Sequence, residues 1–208
     1  MAAAFGVILC QSASGQGAPA AVKGLPARTA PAEYQGHAQA GKITVAAEFD
    51  GHSVPAAQAT YSTEEFVAVE VALYGPADER VKLSYDDFSL RIDGKKTPLP
   101  AQPYELVFKS LKDPAWVPPA PAEGKSKGGI NSGGEGGGND PPPVVHMPPA
   151  MQRAMEQNVQ NASLPDGARP LPQAGLLYFR FGGKTTGIRS LELIYAGAAG
   201  KATVAIQP

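Results

Sequence analysis

A glycine- and proline-rich island most constrains how this chain can fold. Between Pro114 and Pro149 the sequence loses all periodicity, and residues 124–140 are nearly half glycine. Ordering such a segment costs about 1–2 kcal/mol per residue, and the island has almost no apolar surface with which to offset that cost. We therefore predict that residues 114–147 are disordered and that the fold is built from the sequence on either side.

Both flanks of the island alternate apolar and polar residues with the period of two that indicates β-strands. In the clearest run, residues 65–75, β-branched residues share one face, which is typical of a strand with one buried side. Asp93 and Gly94 form a dipeptide typical of a hairpin turn. Further alternating runs occupy residues 42–50, 81–85, 88–92, 95–99, 104–108, 177–181, 191–195 and 202–206.

The distribution of these strands favours one domain over two. About eight short strands with regular turn signals predict an all-β antiparallel sandwich. The flank after the island supplies only two or three strands, which make a poor independent domain, whereas a long insertion adds a loop-closure cost that grows only logarithmically. We predict a single β-sandwich from residues 42–112 and 173–208, with residues 113–172 as an insertion.

One segment of the insertion has the spacing of a helix. Residues 149–161 follow a proline pair that suits a first helical turn, and Met151, Met155 and Val159 recur at helical intervals. Such a one-sided helix usually docks on its own domain. The alternative is that it presents its methionines to a partner protein.

A second candidate for partner binding lies on the strand predicted over residues 177–181. Tyr178 and Arg180 share one face of this strand, opposite Phe179. The ordinary explanation is the solvated outer face of a sheet, and a binding patch is the alternative. The candidate partner-binding residues are therefore Met151, Met155, Val159, Tyr178 and Arg180.

The N-terminal sequence indicates export. An apolar run from Ala2 to Cys10 is followed by small residues, which resembles the end of a secretory signal peptide, although the basic residues expected before it are missing. Either the true start lies upstream or the segment is a frayed tail. We predict a signal peptide remnant over residues 1–18, an extended linker over 19–41, and a secreted or periplasmic location.

Composition excludes several classes of protein. Cys10 is the one cysteine, so no disulfide and no cysteine-based metal site can form in the body of the chain. No stretch approaches the roughly 18 apolar residues of a membrane span. The formal net charge of −1 gives no sign of a nucleic-acid partner.

Each catalytic motif fails at a specific position. The phosphate-loop endings at residues 124–126 and 183–185 lack the required earlier glycine. His52 and Ser53 lie in a run similar to a nucleophile elbow, but Pro55 stands where glycine is needed. The histidines and paired carboxylates lack the spacing of metal ligands. We expect no enzyme, cofactor or metal site, and a small serine hydrolase using Ser53 and His52 is the alternative.

Two sequence patterns resemble a family of bacterial secreted immunoglobulin-like domains of unknown function, related in fold to a mycobacterial immunoprotective antigen. The resemblance covers roughly residues 42–112 and 175–207, and it implies an immunoglobulin-like sandwich outside the cytoplasm without catalytic residues. The family usually has a shorter connection where this chain has its island. The matching residues are Tyr85, Asp87, Phe88, Leu90, Asp93, Gly94 and Lys95 in the first pattern, and Leu177, Phe179, Leu191, Leu193 and Tyr195 in the second.

These observations together favour a non-enzymatic module that acts outside the cytoplasm. Its expected role is protein–protein or cell-envelope interaction, with another envelope or secreted protein as the partner. A fold of this kind does not fix a function by itself, so the site must be sought in the structure.

Overall fold

The computed structural model describes residues 23–77, 79–119 and 146–208. The predicted signal peptide remnant and most of the predicted disordered segment lie outside these ranges. The strands are β1 (Gly36–Ala40), β2 (Ile43–Gly51), β3 (Ser53–Pro55), β4 (Thr60–Thr63), β5 (Phe66–Tyr74), β6 (Arg80–Leu83), β7 (Phe88–Ile92), β8 (Leu99–Gln102), β9 (Leu111–Lys112), β10 (Gly167–Pro170), β11 (Gln173–Arg180), β12 (Leu191–Gly197) and β13 (Gly200–Ile206), and the helix is α1 (Pro149–Ala162).

Eight of these strands form one antiparallel sheet in the order β1-β2-β5-β11-β8-β7-β12-β13. Strands from both flanks of the island are neighbours in it, since β11 pairs with β5 and β12 pairs with β7. Strand β8 joins the two halves, because Leu99 and Pro100 pair with β7 whereas Ala101 and Gln102 pair with β11. The sheet therefore divides into a β1-β2-β5-β11 half and a β7-β12-β13 half.

The two halves pack face to face around the main hydrophobic core. One half contributes Val69 and Phe179, and the other contributes Leu90 and Leu193, all fully buried. Each such side chain stabilises the fold by about 1.5–3 kcal/mol relative to its exposed state. The predicted all-β antiparallel sandwich is confirmed.

A second hydrophobic layer covers the outer face of β5 and β11. Helix α1 and the three-stranded sheet β3-β4-β9 lie over this face. Phe66 and Tyr178 of the sheet are buried there together with Met155 and Val159 of the helix. The prediction of one buried side for the strand at residues 65–75 is wrong, because elements distant in sequence cover its second side.

The predicted linker over residues 19–41 is wrong at its C-terminal end. Gly36–Ala40 is strand β1, paired with β2, and Tyr34 is buried. A Cβ atom at Gly36 would overlap the carbonyl oxygen of Ala205, so β1 and β13 approach each other backbone to backbone. Small residues at alternate positions, Gly36, Ala38 and Ala40, make this approach possible, and they lack the large apolar side chains by which a strand is predicted.

The hairpin signal at Asp93 and Gly94 is confirmed. Both residues have positive φ angles, 52° and 65°, and the Lys95 N–H donates to the Ile92 carbonyl. Paired φ values of this sign are those that tight hairpin turns require. The returning strand β8 nevertheless begins only at Leu99, four residues later than predicted.

The strand predicted over residues 104–108 is wrong. Tyr104–Leu106 and Phe108–Ser110 are short 3-10 helices. The rings of Tyr104 and Phe108 pack with their centroids 5.7 Å apart, and Val107 is fully buried between the two turns. A helical turn brings residues four positions apart together, so three alternating apolar residues were compatible with either conformation.

Candidate functional site

A surface cavity with a volume of about 270 Å³ lies where three connecting segments meet beside β11. Ser84 caps the 3-10 helix Tyr85–Asp87 on one side, and Pro103 precedes the 3-10 helix Tyr104–Leu106 on another. The segment that follows α1 closes the third side. We call this cavity the acidic cleft. The residues that define it are Tyr85, Tyr104, Glu105, Asp166, Arg169 and Tyr178.

The end of α1 fixes the inner wall of the cleft. Ser163 caps the helix, and its hydroxyl donates to the Val159 carbonyl at 2.8 Å and lies 3.4 Å from the Tyr178 hydroxyl. The N–H of Leu164 then donates to the Leu176 carbonyl on β11. Burial raises the pKa of Tyr178 far above its usual value, so this hydroxyl stays neutral. The inner wall is therefore hydrogen-bonded and uncharged.

The rim of the cleft carries an excess of negative charge. Partial burial, followed by repulsion from Asp86 and Glu105, raises the pKa of Asp166 above its usual value. Asp86 is also the largest cause of the raised pKa of Tyr85. Among the lining residues Arg169 is the one cation, and its Nε donates to the main-chain carbonyl of Asp166 at 3.2 Å. The carboxylates thus lack an equal number of positive partners at the cleft.

A second charged cluster lies on the outer face of β2 and β5. Arg28 pairs with Glu48 at 2.5 Å and with Glu70 at 3.3 Å, and its guanidinium carbon lies 4.3 Å from the centre of the Tyr34 ring. Asp50 lies at the bulge between Phe49 and Gly51, and its Oδ2 is buried without a hydrogen-bond partner. This cluster fastens the N-terminal segment to the sheet.

The structure divides the five predicted partner-binding residues into two groups. Met155, Val159 and Tyr178 are 5%, 0% and 1% exposed, because α1 docks on the sheet with these side chains between them. Met155 and Val159 contact this chain and cannot also line a surface for a partner while the helix stays docked, whereas Tyr178 forms part of the inner wall of the acidic cleft. Met151, which is 43% exposed, and the side chain of Arg180, which is 78% exposed, remain accessible.

The sequence alternative of a serine hydrolase gains no geometric support. His52 Nδ1 lies 2.7 Å from the Phe66 carbonyl oxygen, and Nε2 lies 2.8 Å from the Gly183 carbonyl oxygen. Both ring nitrogens therefore face main-chain carbonyls. Ser53 lies on β3, where it pairs with Ser62 of the neighbouring strand. A general base must reach the hydroxyl that it activates, and His52 is not placed to do so.

Within residues 23–77, 79–119 and 146–208, no group of three or more histidine, cysteine, aspartate and glutamate side chains could hold a metal ion. None of the helices in these ranges is long and apolar enough to cross a membrane.

The sequence showed only part of the acidic cleft. The carboxylate pair at Asp86 and Asp87 is visible in the sequence. Nothing in the sequence joins it to Glu105, which lies beyond β7 and β8, or to Asp166, which the island and α1 separate from both. A connection between them requires the docked position of α1.

No protein-family model, no curated protein and no solved structure matches this chain. The resemblance to secreted immunoglobulin-like domains therefore stays a prediction.

Proposed function

We propose that this chain is a non-enzymatic binding module that acts outside the cytoplasm, in protein–protein or cell-envelope interactions, and that the acidic cleft accepts a positively charged group of its partner. The observation that carries the proposal is that tyrosine rings and carboxylates that Arg169 only partly compensates line one concave site. The immunoglobulin-like resemblance and the export-like N-terminus belong to the same proposal.

The size of the cleft argues for one side chain as its occupant. Small-molecule sites usually have volumes of about 300–1,000 Å³, and the cleft, at about 270 Å³, falls just below that range. It can admit a long side chain such as lysine or arginine from another protein. A cofactor or a large metabolite would need more space.

The chemistry of the walls argues for a cation. Glu105 and Asp166 supply negative charge at the rim, and Tyr85 and Tyr104 supply aromatic rings beside it. A cation over an aromatic ring gains about 0.5–1 kcal/mol at an exposed site, and more when water is excluded. Burial and, after it, repulsion from Asp86 and Glu105 raise the pKa of Asp166, and a cation in the cleft would relieve the repulsion. Binding should therefore strengthen as the pH rises above the range in which Asp166 ionises.

A peptide titration tests the proposed site. A short lysine-containing peptide is added to the ¹⁵N-labelled protein, and the amide signals of residues 85–87, 104–106 and 164–169 should shift. The same peptide with acetylated lysines should shift none of them. The Asp166→Asn/Glu105→Gln double variant should weaken binding by about tenfold, because each rim charge contributes roughly 0.5–1 kcal/mol. The Glu192→Gln variant is the control, since Glu192 does not line the cleft.

Shifts spread evenly over the protein surface, or equal binding of the acetylated peptide, would contradict a cation site. The location is tested separately by fusing residues 1–40 to a reporter enzyme that is active only outside the cytoplasm. Failure of export would overturn the proposed location and leave the cleft to be judged by the titration alone.

A further inference from the structure

His52 makes two contacts that a neutral histidine cannot both satisfy. Its Nδ1 lies 2.7 Å from the Phe66 carbonyl oxygen, and its Nε2 lies 2.8 Å from the Gly183 carbonyl oxygen. A carbonyl oxygen only accepts hydrogen bonds, and a neutral imidazole carries one N–H. One of the two contacts would then oppose lone pairs at less than 3 Å. Only the imidazolium form, which donates from both nitrogens, fits this arrangement.

The two contacts connect elements that are far apart in the sequence. His52 lies between β2 and β3, and Gly183 lies in the connection between β11 and β12. We call residues 182–188 the glycine loop. The loop's other hydrogen bonds in the described structure include two internal ones, from Gly187 to Lys184 and from Ile188 to Thr185. Phe181 follows the end of β11, and its N–H donates to the main-chain carbonyl of Glu65, just before β5. The His52 contact thus fastens the start of the glycine loop to the sheet.

The groups around the ring carry charges of both signs. The negative charge of Glu64 faces it from the connection between β4 and β5, although Lys112 of β9 bonds to Glu64 at 2.5 Å. The Phe181 ring stacks on it at 6.4 Å, with 20° between the planes. Lys184 of the glycine loop shares the adjoining cavity and opposes the charge. Other charged groups on the adjoining elements are Glu65 and Arg180, which pair with each other at 3.9 Å, and Asp50 of β2, which borders the glycine loop.

We propose that His52 is a proton-operated latch: its imidazolium form holds the glycine loop against β5, and loss of one ring proton releases the loop. The latch forms one wall of an open cavity of about 470 Å³ bordered by His52, Thr63, Glu64, Gly183 and Lys184. Release of the loop changes the shape of this cavity. The device goes beyond the proposed binding function, because it lies at a different site from the acidic cleft.

The direction of the switch follows from the donor count. The latch is closed while the ring carries two protons, because both carbonyls then receive a hydrogen bond, and a rise in pH that removes one proton opens it. One carbonyl then loses its donor, and the two oxygens cannot share the single remaining proton because they lie on opposite sides of the ring.

Nuclear magnetic resonance of the unmodified protein tests the latch directly. At pH 5.5, long-range ¹H–¹⁵N spectra should show protons on both ring nitrogens of His52. Between pH 5.5 and pH 8 the amide signals of residues 182–187 should shift along the same titration curve, and their heteronuclear NOE values should fall. A ring that carries one proton at pH 5.5, or loop signals that do not follow the ring, would overturn the proposal.

Three variants separate His52 from its neighbours. His52→Phe keeps an aromatic ring but has no donor, so its loop signals should resemble the released state at every pH. His37→Gln is the matched control, because His37 is exposed on β1 and should leave the loop titration unchanged. Asp50→Asn removes the other nearby group that titrates in this range, and the loop titration should persist in it. Loss of the titration in Asp50→Asn, with His52 intact, would assign the switch to Asp50 and contradict the latch.

Discussion

Asn158 of α1 and Tyr61 of β4 meet at 2.7 Å, where the Asn158 side-chain N–H donates to the Tyr61 hydroxyl oxygen. The bond joins the helix after the island to a strand that precedes the island by about fifty residues. It lies at the border of the second hydrophobic layer and gives the docked helix a directional contact in addition to its apolar ones.

Removal of either partner of this bond should destabilise the protein to a similar extent. A typical intramolecular hydrogen bond contributes about 0.5–1.5 kcal/mol, so Asn158→Ala and Tyr61→Phe should each lower the free energy of unfolding by about 1 kcal/mol. The double variant should lose little more than either single one, because both substitutions break the same contact. Urea denaturation measures all three. Fully additive losses would show that the bond contributes nothing of its own.

The docked position of α1 predicts opposite outcomes for two of its apolar residues. Val159 is fully buried against the sheet, so Val159→Ala should lower the free energy of unfolding by about 2 kcal/mol. Met151 is 43% exposed, and Met151→Ala should change the free energy of unfolding by less than about 0.5 kcal/mol. Deletion of residues 114–161 should lower the thermal transition markedly, because it uncovers Phe66 and Tyr178. A deletion variant with an unchanged transition would contradict a structural role for the helix.

Much of the sandwich could be predicted from the sequence, because strand periodicity is local. The alternating valines of β5 and the turn at Asp93 and Gly94 signal their conformations within a few residues. The covering of the second face of β5 could not be predicted in this way. The small residues of this face, Ala68 and Ala72, are compatible with either a solvent-exposed or a buried face. The elements that bury it lie up to about ninety residues away in the sequence.

The same limit applies to the acidic cleft. Asp86 and Asp166 influence each other only because α1 docks and directs the following segment across β11. No sequence spacing indicates that Asp86 and Asp166 lie close together. The predicted patch of Tyr178 and Arg180 fails in part for the same reason, since the end of α1 covers the tyrosine and leaves the arginine exposed.

Gly175 shows how closely the segment after α1 crosses β11. A Cβ atom at Gly175 would lie 2.5 Å from the backbone nitrogen of Leu164, closer than real Cβ contacts. Gly175→Ala should therefore displace this segment and lower the free energy of unfolding by about 1–3 kcal/mol, the usual cost of overpacking. It should also weaken peptide binding in the cleft, whose inner wall includes Leu164.

Gly187 is the matched control for this substitution. A Cβ atom there meets nothing within 4 Å, and its φ angle lies outside the left-handed region. Gly187→Ala should leave the thermal transition unchanged or raise it slightly, because alanine restricts the unfolded chain. Equal destabilisation by both substitutions would mean that the close approach of Leu164 to β11 is not the cause.

Asp50 and Asp93 should give pH dependences of opposite sign. Burial, followed by repulsion from Glu70 and Glu48, raises the pKa of Asp50 to about 7. The native state therefore holds this proton more tightly than the unfolded chain, where aspartate titrates near pH ~4. Native stability is lost as the pH rises from about 4 to about 7. Asp50→Asn does not ionise, so it should match the parent protein at pH 4 and exceed its free energy of unfolding at pH 8 by about 1–2 kcal/mol, less than the full shift implies because solvent reaches part of the group.

Asp93 is exposed, and its carboxylate accepts hydrogen bonds from the N–H groups of Arg189, at 2.7 Å, and Ser190, at 3.2 Å. The Arg189 bond is the largest cause of a pKa below the usual value. Its contribution to stability is present above pH ~4 and is lost as the pH falls through the lowered native pKa. Asp93→Asn should therefore be less stable than the parent protein at pH 8 and approach it in strong acid. Urea denaturation of the parent protein and both variants from pH 3 to pH 8 measures how the free energy of unfolding depends on pH. If the contributions of Asp50 and Asp93, each taken as the difference between parent and variant, changed with pH in the same direction, the burial of Asp50 would not be the cause.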